Sequence, residues 1–301
     1  MDRNAPDLGE LDQRLIRRRS DRVATCYDAA AVLQREIAGR MLERLQYIRL
    51  QPERVLDLGC ATGHACAGLH QAYGEARIIA VDVALKMCIE AAAAAKSGWF
   101  GRRRWQVVSG SAVALPFADQ SIDLVFANLL LHWCPHPDAV FRECQRVLRP
   151  GGLLMFSSLG PDSLRELRAA WSTVDAGQHV HAFTDLHDLG DALVRERFAD
   201  PVMDVEWLTL TYPTLNGLVT DIRQSGAGNA ATGRRRGLLG RRQAEALRAA
   251  YEQYRGDDGR LPATMEIVYG HAWASAEPMQ RRESSGEVSI PLSGVRRSLR
   301  G

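Results

Sequence analysis

Residues 54–63, Arg54-Val55-Leu56-Asp57-Leu58-Gly59-Cys60-Ala61-Thr62-Gly63, read as a buried strand that breaks into a glycine turn, with helix-compatible sequence behind it. Glycine lets the backbone take positive φ and approach a ligand closely. A turn of this kind can therefore hold a dinucleotide, a nucleotide phosphate or a methyl-donor sulfonium. The spacing is Asp57-x-Gly59-x-x-x-Gly63, and the next apolar run ends in an acid, Asp82, nineteen positions after Gly63.

Outward from this turn the chain alternates strand and helix. Apolar runs at 55–58, 78–81, 107–109, 124–127 and 153–156 are separated by helical stretches such as 87–96 and 138–148, and Pro150-Gly151-Gly152 is a turn into the fifth strand. Such alternation implies an α/β fold, a parallel sheet with helices on both faces. Upstream, Ala30, Leu33, Ile37, Met41 and Leu45 recur at spacings of three and four, one face of an amphipathic helix. Downstream, helices are expected at 163–174 and 185–195 and strands at 202–211 and 265–273. Between those last strands lies a long connection with the glycine-rich basic segment 221–240 and a helix at 243–254. A connection of that length in a compact domain reads as a lid or binding loop. The organisation expected is a leader and cap helix over 1–50, a main domain over 51–276 with an insertion at about 213–262, and a disordered tail at 277–301, rich in Ser, Gly and Arg.

Composition narrows the function. A net charge of +2 over 301 residues gives no general nucleic-acid footprint. The six cysteines are scattered, with no CxxC pair, which fits a reducing cytoplasm. No apolar run approaches the roughly 18 residues that span a bilayer, and the N-terminus lacks a signal-peptide core. His132-Trp133-Cys134-Pro135-His136-Pro137 is not a standard zinc arrangement, so no metal is expected. His179, His181 and His187 read as satisfied polar residues.

A dinucleotide site favours G-x-G-x-x-G, where the helix N-terminus meets a pyrophosphate, whereas here Asp57 stands two residues before the first glycine. A carboxylate repels a pyrophosphate but favours the ammonium and sulfonium of S-adenosylmethionine. At this point the sequence resembles the class I S-adenosylmethionine-dependent methyltransferases, through "VLDLGCATG", "AVDVALKM", "SGSAVALPF", "SIDLVFANLLLHW" and "VLRPGGLLMFSS" in that order. The resemblance implies a Rossmann-like methyltransferase fold with seven strands, mostly parallel. It places Asp57, Gly59 and Gly63 at the methionine part of the cofactor, Asp82 at the ribose, Met87, Ser111 and Ala112 at the adenine, and Asn128 at the edge of the reaction pocket. Two positions depart from the pattern. Ala61 replaces a usual glycine, a change that its methyl group survives if φ stays negative, and Ser111 stands where an aspartate often reads the adenine.

The segments outside this core, "RRSDRVATCYDAAAVLQREIAGRMLERL", "GPDSLRELRAAW", "HVHAFTDLHDLGDALVRERFADPVMDVEWLTLTY" and "LVTDIRQSGAGNAATGRRRGLLG", resemble the malonyl-[acyl carrier protein] O-methyltransferases of early biotin synthesis. That resemblance implies methyl transfer to the free carboxylate of a malonyl thioester, carried by acyl carrier protein or coenzyme A. Arg223 and Arg234–Arg236 are then the candidate cations for the carboxylate and for an acidic carrier, and Tyr27 the ring that closes over the sulfonium. Asp21 replaces a common aromatic residue and is expected to loosen the N-terminal helix. Two alternatives stay open: a quinone-type small-molecule methyltransferase, whose base would lie near His132, and a non-catalytic assembly-factor relative that binds the same cofactor.

Overall fold

The computed structural model describes residues 10–97, 102–237 and 239–275. The expected tail at 277–301 and the first nine residues of the leader lie outside them. The chain starts with α1 (Gln13–Val23), α2 (Tyr27–Ala30) and α3 (Val32–Leu45). Asp12 begins α1 by accepting the Leu15 N–H at 2.9 Å, satisfying one orphan donor of its first turn. On α3 the residues four apart, Ile37, Met41 and Leu45, are buried, as the periodicity requires.

Strand and helix then alternate: β1 (Arg54–Leu58), α4 (His64–Ala72), β2 (Arg77–Asp82), α5 (Leu85–Ala94), β5 (Trp105–Ser109), β6 (Ile122–Ala127), α6 (Pro137–Val147) and β7 (Leu148–Leu159). A two-stranded ribbon, β3 (Lys96–Ser97) with β4 (Arg102–Arg103), precedes β5 and was not anticipated. Beyond β7 come α7 (Arg165–Ser172), α8 (Leu186–Arg195), β8 (Phe198–Tyr212), α9 (Leu215–Gln224), α10 (Arg241–Glu252) and β9 (Leu261–Ala274).

The main sheet has seven strands in the order β5-β2-β1-β6-β7-β9-β8. β5, β2, β1, β6 and β7 pair in parallel, and β9 inserts antiparallel between β7 and β8. Period-two alternation puts the sheet between two cores. Val55, Ile78, Leu124 and Phe126 pack with Ile37 and Leu69 on one face, while Leu56, Ile79 and Val125 pack with Phe141 and Leu189 on the other. Chain order reverses between β1 and β6, the place in an open α/β sheet where a ligand crevice forms at the carboxyl ends.

The connection between β8 and β9 folds back onto the N-terminal helix. Arg19 of α1 donates Nη1 to the carbonyls of Gly228 (2.6 Å) and Asn229 (2.9 Å), and the Asp12 N–H donates to the Ala230 carbonyl at 2.8 Å. The N-terminal helices and this connection thus line the crevice together.

Candidate active site

The turn after β1 is fixed by backbone geometry. The N–H groups of Gly59 and Cys60 both donate to the Val81 carbonyl, at 2.8 and 3.0 Å, which draws the turn across the end of β2. Gly59 sits at φ +77°, where a Cβ would also come within 3.0 Å of Leu130. Gly63, at φ +86°, stands just before α4 and packs on Ala91, so it shapes the turn from behind and is absent from the cavity wall. Ala61 does not keep a negative φ. It sits at +47°, in the left-handed region, because its N–H must reach Asp82 Oδ2 at 3.0 Å.

Asp82 closes β2 and also accepts the Ala84 N–H at 2.8 Å through Oδ1. Burial pushes its carboxyl above the usual range, and the backbone donors only partly offset this. Asp57 is 1% exposed and accepts from Cys66 Sγ at 3.0 Å. Burial, with the Asp82 charge nearby, pushes the Asp57 carboxyl up to about 7. Two desolvated carboxyl groups on one wall, with no cation paired to either among the described residues, form a receptor for a positively charged ligand.

Above this turn, Tyr27, Ala61 and Met87 pack with Val23, Ala24 and Ala84. Met87 is therefore core and cavity wall at once. Burial and the charges of Asp82 and Asp28 raise the Tyr27 phenol, keeping it neutral. Asp28 accepts from the Thr62 hydroxyl, pinning α2 to the turn, a contact that sequence reasoning missed. Asp21 does not loosen the helix: its Oδ1 accepts the Lys86 N–H at 2.9 Å and ties α1 to α5.

At the far edge, Asn128 Nδ2 donates to the Gln34 carbonyl at 2.9 Å, and its Oδ1 accepts from Ser157 Oγ at 3.0 Å. Asn128 thus locks α3 onto the sheet while lining a cavity of about 760 Å³. Ser111 and Ala112 lie on the same wall after β5, with the Ser111 Oγ accepting the Val113 N–H at 3.4 Å.

Residues 132–136 line the cavity together with His181 and Phe183. His132 lies 6.0 Å from Phe183, and His181 lies 4.8 Å from the same ring. Burial pushes His132 down to about 3 and His181 to about 4, so both imidazoles are neutral and weakly basic. His181 is not a satisfied polar residue, because its buried Nε2 has no hydrogen-bond partner. The alternation of histidine and aromatic residues in "HVHAF" was the available signal.

Arg223 is not brought to the cavity. It is exposed on α9, whose Leu218, Asp221 and Ile222 form the wall instead. Arg235 reaches Asp175 at 3.7 Å and Arg234 reaches Asp12 at 3.3 Å, away from the turn. Among the described residues the single Arg or Lys on the cavity wall is Arg35 of α3, whose Nη1 donates to the Asp28 carbonyl.

Residues 56–156 match the family model described as a methyltransferase domain. Among solved structures, the chain superposes on the YcgJ protein of Bacillus subtilis with a TM-score of 0.57 at 16% identity, covering 80% of this chain and 99% of that one. A putative methyltransferase from Bacillus halodurans C-125 gives the same TM-score at 17% identity, covering 79% and 99%. The sheet order and the acid-flanked glycine turn define a Rossmann-like methyltransferase that uses S-adenosylmethionine. A malonyl-[acyl-carrier protein] O-methyltransferase from Methylovorus sp. (strain MP688) is 49% identical over 87% of this chain and 89% of its own length. One from Halorhodospira halophila (strain DSM 244 / SL1) is 44% identical over 99% and 100%. The chain belongs to the malonyl-[acyl-carrier protein] O-methyltransferase family.

Proposed function

We propose that this chain transfers the S-adenosylmethionine methyl group to the free carboxylate of malonyl-[acyl carrier protein], in the synthesis of a biotin precursor. One observation carries the match of chemistry to site. Among the described residues the cavity wall carries one Arg or Lys, Arg35, which can hold an anionic acceptor, while His132 and His181 are held neutral and weakly basic. An acceptor that is already an anion needs no base. A quinone-type hydroxyl acceptor does, and neither His132 nor His181 is basic enough to serve it well.

S-adenosylmethionine, when bound, supplies an electrophilic methyl on a sulfonium. Asp57 and the Gly59 turn would hold its methionine end, Asp82 its ribose, and Met87, Ser111 and Ala112 its adenine. Tyr27, neutral and packed over Ala61, would cover the sulfonium with a ring face. Arg35 would select the malonyl carboxylate and aim one oxygen at the methyl group. Asn128, by tying α3 to the sheet, would keep Arg35 in register with the turn. Catalysis is then orientation and exclusion of water, and orientation alone supplies about 7–11 kcal/mol. Loss of the carboxylate charge leaves an ester end that chain-elongating enzymes can treat as apolar.

Isotope transfer from methyl-labelled S-adenosylmethionine tests this reading. Label should appear, as a base-labile ester, on malonyl-[acyl carrier protein] and not on the acetyl form. Malonyl-coenzyme A, run beside it, measures how far the carrier itself matters. Absence of label on every malonyl thioester would refute the proposal.

A further inference from the structure

The two family-like stretches after β7, "GPDSLRELRAAW" and "HVHAF", contribute to a second cavity of about 530 Å³. Its wall includes Arg168, Trp171, Asp175 and His179, and Phe183 belongs to both this wall and that of the reaction cavity. Arg168, half-buried on α7, donates Nη1 to the Pro161 carbonyl at 2.9 Å and Nη2 to the Ser163 carbonyl at 3.3 Å. Two of a guanidinium's five donors are so committed, leaving three. No ion pair joins Arg168 to a carboxylate among the described residues, and burial lowers its pKa although it stays charged. Its charge is felt at His181 in the reaction cavity.

Among the described residues the one acid on this wall, Asp175, is already engaged. Asp175 binds His179 Nε2 at 2.6 Å, the Gly177 N–H at 2.8 Å, Gln243 Nε2 at 3.3 Å and Arg235 Nη1 at 3.7 Å. Trp171 and His179 stack at 3.5 Å between ring centroids, giving a flat aromatic face on the same cavity wall as Arg168. Arg235 and the exposed Arg236 keep the neighbouring surface positive. Asp162 acts on Arg168 through its charge but forms no ion pair with it among the described residues, so the partly desolvated guanidinium keeps donors for an anion whose oxygens fit its planar fork.

We propose that Arg168 binds the phosphate of the acceptor's phosphopantetheine arm in this second cavity, and that the thioester end passes Phe183 to reach the reaction cavity. This rests on the malonyl-thioester reading above and adds to it a subsite for the arm. The arm is common to acyl carrier protein and coenzyme A, so the phosphate serves either carrier, while an acidic carrier surface adds its own attraction to the arginines at the rim.

The test uses the full chain and three acceptors: malonyl-pantetheine, which lacks the phosphate, malonyl-coenzyme A and malonyl-[acyl carrier protein]. Wild-type protein should show a KM for the two phosphate-bearing acceptors roughly ten- to a hundredfold below that for malonyl-pantetheine. Arg168→Gln should erase most of that difference and leave malonyl-pantetheine turnover and S-adenosylmethionine affinity unchanged. Arg168→Lys should restore part of it, as a point charge without the fork. Equal kinetics of wild type on all three acceptors, or an equal loss on all three in the Gln variant, would overturn the phosphate role. The second result would make Arg168 a brace for the Pro161–Ser163 loop. If wild-type protein methylates none of the three, the fault lies with the malonyl-thioester reading itself.

Discussion

Asp21 Oδ1 accepts the backbone N–H of Lys86 at 2.9 Å, so a side chain of α1 caps α5, whose own N-cap residue, Ala84, gives no side-chain bond. The cap links the roof over Tyr27 to the helix that carries Met87. Asp21→Ala should cost about 1 kcal/mol of stability, the usual worth of a lost N-cap. It should also weaken S-adenosylmethionine binding, because both sides of the proposed adenine site lose their tie. Urea denaturation and calorimetry measure the two effects; unchanged values in both would remove the cap from the account.

Asp57 should make cofactor binding pH-dependent. In the cofactor-free chain its carboxyl is pushed up to about 7 by burial, and a cation beside it favours the ionised form. Binding therefore releases a proton, and affinity should fall as pH drops below about 7, by up to roughly tenfold per unit. The same shift, upward from an ordinary value of about 4, means that the cofactor-free fold gains from Asp57 protonation. That contribution is full below about pH 4 and is lost as pH rises to about 7. Asp57→Asn should flatten the pH dependence of the dissociation constant between pH 5 and 7, and an unchanged slope in that variant would reassign it.

His132 should be silent across the working pH range. Its ring is pushed down to about 3, so it does not titrate between pH 5 and 8. With both substrates saturating, turnover should show no acid limb near pH 6.5. His132→Phe should leave the shape of that profile intact while lowering its height through lost packing. A limb near 6.5 that vanishes in the variant would restore the histidine as a base.

Much of this was legible in order and spacing. The parallel strands could be read because a two-sided sheet demands continuous apolar runs between helices, and Asp57, Gly59 and Asp82 because the turn's chemistry is local. The left-handed backbone of Ala61 was not legible, since it follows from the 3.0 Å bond to Asp82, twenty-one residues away. Asp21 misled for the same reason: its partner, Lys86, is distant in sequence and close only once α1 lies over α5. The insertion between β8 and β9 carries both the expected helix and Arg223, but helix periodicity alone could not orient that arginine. Packing turned Leu218 and Ile222 to the cavity and left Arg223 in solvent.

The contrast between Arg35 and Arg223 gives the most direct check on substrate selection. Arg223 is exposed and off the cavity wall, and it makes no contact there that a substrate could lose. Arg223→Ala should keep the KM for a malonyl thioester within about twofold, as ordinary surface substitutions do. Arg35 is the wall's cation among the described residues, and removing one partner of a shielded charge pair costs several kcal/mol when the pair is well buried. Arg35 is only half-buried, so solvent screening reduces that penalty, and Arg35→Ala should raise the malonyl-thioester KM by roughly ten- to a hundredfold. Arg35→Lys should recover only part of the loss, because lysine lacks the planar fork. Arg35 also donates to the Asp28 carbonyl, and Asp28 holds Thr62 in the cofactor turn, so cofactor affinity must be measured in the same variants. A malonyl-specific defect with intact cofactor binding assigns the carboxylate to Arg35. Loss of both in equal measure would make Arg35 a support for the turn, and near-normal kinetics in both arginine variants would send the search to the polar side chains of the wall, Gln13 and Gln34 first.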